Sequence, residues 1–139
     1  MRPKTRLDPV VKLEEQREEQ RLAEMSEAAR ALKAAEELLE QRRAHARADQ
    51  RRGASASDWQ LTELSHTRML SDVRSAESAV QEASVAQAAS RDRYTEAYMR
   101  AEAIRRVATA RADEIVRARE RVERREQDEL GILRFRRAA

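Results

Sequence analysis

A chain of 139 residues with 40% charged side chains and only 3% aromatics cannot fill the large apolar interior of an ordinary globular domain. The absence of cysteine excludes a disulfide framework and a thiolate metal site, and fits a reducing compartment. The net charge of +3 resides at one end: Arg134, Arg136 and Arg137 are the only charges in residues 131–139, and without them 26 bases face 26 acids. Such even mixing repels a phosphate backbone as often as it attracts one, which argues against nucleic acid as a partner.

The opening Met-Arg-Pro-Lys-Thr-Arg-Leu-Asp-Pro lacks the apolar core of a signal peptide. No apolar run approaches the ~20 residues needed to cross a bilayer. A soluble, cytoplasmic chain is expected.

The first helix is expected over residues 9–52. Asp8 is placed to cap it and Pro9 suits the first helical position. Its apolar stripe is Leu22, Met25, Ala29, Leu32, Glu36, Leu39, Arg43 and Ala46, with spacings that alternate between three and four as heptad a and d positions do. Gly53 opens a small polar loop over 53–57. Ser57-Asp-Trp-Gln60 then reads as a capping box for a second helix over 58–130, with Gly131 as its C-terminal stop and 131–139 as a basic tail.

The second stripe is longer and keeps one frame: Met69, Val73, Ala76, Val80, Ala83, Gln87, Ser90, Tyr94, Ala97, Ala101, Ile104, Ala108, Arg111, Ile115, Ala118 and Val122. The pattern predicts a single all-α domain, an antiparallel two-helix coiled-coil hairpin with a longer, overhanging C-terminal helix. Its core is Leu22, Met25, Ala29, Leu32 and Leu39 against Met69, Val73, Val80 and Ala83. With the turn near Ala56, Leu32 faces Val80, Ala29 faces Ala83, Leu39 faces Val73, Arg43 faces Met69 and Val11 faces Ala101. A turn near Leu70, through a kink at Thr67–Asp72 in the weakly helical stretch Leu64–Asp72, would keep the same frame. Gly53 and Ser57 mark the turn adopted. This register leaves roughly 30 residues of the second helix, ~45 Å, without a partner helix. The overhang carries Ile104, Ile115 and Val122, so another surface should cover it.

Chemistry-bearing residues are few. His45 and His66 flank the turn with Asp49 as the nearest carboxylate, too few ligands for a metal site. No glycine-rich phosphate loop or nucleophile motif occurs, so no enzyme activity, cofactor or small-molecule substrate is expected. Residues 117–125 are rich in Arg, but Glu120 and Glu123 interleave and no stacking aromatic is near. A solvated or protein-facing helix is the expectation there. Trp59, with Leu61 beside it, stands in the first turn after the loop. It reads either as a cap over the turn or as a partner-binding anchor, since Trp is enriched at binding hot spots.

Arg6-Leu-Asp-Pro-Val-Val-Lys-Leu-Glu-Glu-Gln-Arg-Glu-Glu19, the Ala-rich Ala34-Ala-Glu-Glu-Leu-Leu39, and the closing Glu123-Arg-Arg-Glu-Gln-Asp-Glu-Leu130 followed by Arg134-Phe135 resemble the flagellar export protein FliJ family. The order of parts agrees: long arm, Gly-containing loop, Trp soon after, longer second arm. The resemblance implies a stalk like the central shaft of rotary ATPases. Such a stalk docks in a hexameric export ATPase, contacts the cytoplasmic domain of the export gate and binds export chaperones. Its place would be the cytoplasmic face of the inner membrane, reached only through the export apparatus. It would put Ile104, Ile115, Val122, Arg134, Phe135, Arg136 and Arg137 at the ATPase end, and Trp59 with Leu61 at the gate end. Some members carry an aromatic gate-contacting patch near the loop. Here residues 38–49 and 61–76 hold no Tyr or Phe, which leaves Trp59 as the aromatic element at that end. The injectisome counterpart of this stalk and a generic coiled-coil scaffold or homodimer are the alternatives.

Overall fold

The computed structural model describes residues 2–49 and 55–139. It contains two long helices, α1 (Asp8–Ala48) and α2 (Ala56–Ala138), and no strand among the described residues. They pack against each other as an all-α helical hairpin. Contacts divide the chain into two compact units: Glu19–Thr95, and Met1–Glu18 with Glu96–Ala139.

The helix ends differ in detail from the sequence expectation. Asp8 does not cap forward. Its carboxylate turns back to accept from the Thr5 backbone N–H at 3.0 Å and the Thr5 hydroxyl at 2.8 Å, so Thr5 and Asp8 form the N-terminal box. α1 ends at Ala48 rather than near residue 52. Gly53 lies outside the described residues. The cap of α2 is Ser55, two residues before the expected Ser57: its Oγ accepts from the Asp58 N–H at 3.2 Å and donates to Asp58 Oδ2 at 2.8 Å. α2 runs without interruption through residues 67–72, which excludes a turn near Leu70.

The largest departure is at the far end. α2 passes through Gly131 and continues to Ala138, so residues 131–138 are helix and not a tail. Glycine is only a weak helix breaker, costing about 1 kcal/mol against Ala in a helix interior. Arg136 and Arg137 in the last turn complement the negative end of the helix dipole.

In the Glu19–Thr95 unit the expected seam is the shielded face. Met25, Ala29, Leu32, Leu39 and Ala46 on α1 are buried or half-buried, as are Met69, Val73, Ala76, Val80, Ala83, Gln87, Ser90 and Tyr94 on α2. Ser90, buried, accepts from Arg93 Nη2 at 3.3 Å. Leu22 is the exception. It was expected in the core but is 43% exposed. Glu36 and Arg43, which fell on the same stripe, also face solvent.

In the terminal unit the seam is built from alanine. Ala97, Ala101, Ala108 and Ala112 are buried, with Ile104 and Ile115 half-buried beside them. Small side chains at four of these seam positions let two helix backbones approach closely. The seam moves from the expected Arg111 to Ala112, the drift of a 3.6-residue helix against a strict heptad.

The pairing lies further along α2 than expected. Arg43, aligned with Met69 by the sequence register, reaches Glu77 at 3.2 Å, about two turns beyond. Arg42 reaches Asp72 at 3.9 Å. In the terminal unit, Val11 shares a cleft with Arg105 and Thr109, one to two turns past its expected partner Ala101. The overhang is correspondingly shifted: cover extends to Ala112 and Ile115, and residues 116–139 are all exposed.

Candidate functional site

Among the described residues two exposed surfaces gather the expected site residues, one in each unit. The first is the free end of α2. From Val116 onward no residue is shielded, yet the helix carries large apolar side chains: Val122 is 53% exposed and Phe135 is 77% exposed, and Leu130, Ile132 and Leu133 are also open. Arg134, Arg136 and Arg137 are interleaved with them and equally exposed. Among the expected residues of this end, Val122, Arg134, Phe135, Arg136 and Arg137 therefore share one accessible helical segment. Ile104 and Ile115 do not belong to it. Ile115 lines a groove with Leu7 and Val107, so the segment before α1 covers it, contrary to the expectation that it lacks an intramolecular partner. The sequence reading missed Leu130, Ile132 and Leu133 because it ended the helix at Gly131. Their apolar character was visible, but their helical placement was not.

About three turns before this free end, one arginine gathers carboxylates from both helices. The Arg105 guanidinium meets three carboxylates: Glu18 at 3.3 Å, Glu102 at 3.4 Å and Glu15 at 3.8 Å. Its Nε is shielded from water and, although close to Glu102, makes no well-directed hydrogen bond. Glu102 is shared with Arg106, four residues on, at 3.1 Å. The network clamps the first turns of α1 to α2. Upstream, the two Thr5 hydrogen bonds hold the Asp8 carboxyl below its ordinary value, the backbone N–H contributing most.

The second surface is at the beginning of α2. Trp59 is 52% exposed, and Leu61 and Leu64 are more open still. Trp59, Gln60, Glu63, Leu64 and Thr67 line a shallow groove along one side of the helix. Half the Trp59 surface is thus available. Leu61 lies outside this groove. Leu64, five residues after Trp59, was not singled out from the sequence, since residues five apart do not share a helix face; it shares only the rim of this groove. The Thr67 hydroxyl donates to the Glu63 carbonyl at 2.9 Å, which satisfies it locally.

The histidines are separate. His66 Nδ1 lies 3.2 Å from Asp49 Oδ2, while His45 is exposed. Among the described residues no group of three or more His, Cys, Asp or Glu side chains is arranged to hold a metal ion. Among them, too, no helix is long and apolar enough to cross a membrane.

Comparison with known families gives a match over nearly the whole chain. The family described as flagellar FliJ protein aligns with residues 3–139, essentially the whole chain. No curated protein and no solved structure matches.

Proposed function

Since the chain belongs to the flagellar FliJ family, we propose that it is the central stalk and escort protein of a flagellar type III export apparatus. The free end of α2 docks in the opening of the hexameric export ATPase. The Trp59 end faces the cytoplasmic domain of the export gate, and export chaperones bind along the outer faces. The protein works in the cytoplasm at the inner face of the membrane, regulates the ATPase and catalyses nothing itself.

The observation that carries this reading is the bare end of α2: residues 116–138 are helical, continuous with the clamped part of the hairpin, and exposed on every side. At 1.5 Å per residue this segment is roughly 35 Å long. A rigid rod of that length, with apolar residues around its circumference, suits a ring that encloses it better than a flat surface that touches one face. Burying Val122 or Phe135 contributes about 1.5–3 kcal/mol each, whereas exposed arginine pairs contribute about 0–1 kcal/mol and fade with salt.

The test is stimulation of the purified hexameric ATPase. Val122→Asp combined with Phe135→Asp abolishes it, while Arg134→Ala, Arg136→Ala and Arg137→Ala together reduce it in a salt-dependent manner. Both variants change exposed positions, so helicity by circular dichroism stays unchanged. Full stimulation by the double Asp variant refutes insertion of this end into the ring.

A further inference from the structure

We infer that the free chain associates with a second copy of itself through the bare end of α2, in an antiparallel pair centred on Gln127. The heptad frame expected from the sequence, to which Ile115 still belongs, continues past that residue as Ala118, Val122, Arg125, Glu129, Ile132 and Arg136, with spacings of three and four. All of these positions are exposed. When this segment is laid antiparallel against itself about Gln127, Val122 falls opposite Ile132 and Arg125 falls opposite Glu129. Two-fold symmetry makes each pair occur twice. The seam then has two ion pairs at the centre, flanked by two apolar pairs, with Ala118 opposite Arg136 at each end.

The charges select this arrangement. A parallel pair would set Arg125 against Arg125 and Glu129 against Glu129, and like charges on a seam are repulsive. Within one chain, arginine four residues before glutamate is the less favourable order on a helix. Among the described residues, neither Arg125 nor Glu129 takes part in an ion pair. Both are therefore free to pair across an interface, and charged groups at seam positions fix orientation and register. At the flanking positions Glu126 and Asp128 each approach their own copy near the axis. This repulsion keeps the association weak and readily reversed. The inference goes beyond the stalk reading and does not depend on it, because it concerns the protein without any other partner.

Sedimentation equilibrium of the full chain over a wide concentration series tests it. The expected result is a reversible monomer–dimer equilibrium. Arg125→Glu and Glu129→Arg each weaken the dimer tenfold or more, and the two together restore it, with unchanged helicity throughout. Because the chain has no cysteine, orientation can be read directly by disulfide trapping. A Val122→Cys chain mixed with an Ile132→Cys chain should form the mixed disulfide in preference to either self-linked product. A monomer at every concentration overturns the inference. So does a dimer indifferent to the charge reversals, or preferential linkage of Val122→Cys to itself. Failure of any of these leaves the ATPase stimulation test above unaffected, and the two readings are judged separately.

Discussion

Replacing Ala108 by leucine measures where the cover of α1 ends and how tightly it fits. Ala108 has no exposed surface, and Arg105 and Thr109, which flank it, line the same cleft as Val11. Leucine adds three carbons where the helices meet on alanine, so either the backbones separate or the side chain leaves its preferred rotamer. Overpacking of this kind costs about 1–3 kcal/mol. For a chain of this length that lowers the melting temperature by about 3–12 °C. The matched control is Ala118→Leu, which changes the same residue type on the same expected stripe but lies beyond the cover and is exposed. Its cost should stay within about 0.5 kcal/mol. Thermal melts followed by far-ultraviolet circular dichroism in dilute solution read both. Equal shifts for the two variants, or no shift for Ala108→Leu, would refute the placement of the covered seam and with it the limits of the bare end.

Three further outcomes follow from the geometry. Arg105→Gln removes the centre of the three-carboxylate clamp. Because the network is partly solvated it should cost about 1 kcal/mol or less, yet amide hydrogen exchange over residues 9–18 should accelerate, and unchanged exchange there would show that the clamp holds nothing. Asp8 is depressed in the folded state, so its contribution is fully present above its unfolded value of about 3.9 and is lost as pH falls through the lower folded value. The Thr5 amide resonance should therefore titrate below about pH 4, and Asp8→Asn should abolish that titration. A short bis-maleimide should link Arg43→Cys to Glu77→Cys within one chain more readily than Leu32→Cys to Val80→Cys. The reverse preference would restore the register read from the sequence.

The hairpin itself, its seam and its polarity were legible in the residues. Spacings of three and four persist from Met25 to Ala46 and from Met69 to Ala108, and that periodicity alone determines which face of each helix is shielded. It could not determine the longitudinal alignment. A heptad pattern matches itself after every shift of seven, and a seam rich in alanine has few bulky residues to make one shift better than the next. Ion pairs such as Arg43 with Glu77 and Arg105 with Glu18 mark the alignment the fold adopts, and these exist only once the helices are side by side. Leu22 shows the same limit: it holds a correct heptad position, but local packing leaves it half in water.

The two candidate surfaces divide in the same way. Trp59 stood out in the sequence as the lone tryptophan beside a turn, whereas the groove it shares with Glu63, Leu64 and Thr67 is seen only in the structure. Val122 and the three tail arginines were visible as an apolar position and a basic cluster. That they share one rod with Leu130, Ile132 and Phe135 depends on α2 continuing through Gly131. Glycine permits both a stop and a continuation, so the residue type does not decide between them. Ile115 was assigned to the open seam by pattern, and only the tertiary structure shows Leu7 and its neighbours folding over it. Sequence periodicity specifies faces, because a helix repeats its directions every few residues; which stretch of a face is covered depends on the distant segment that lies against it.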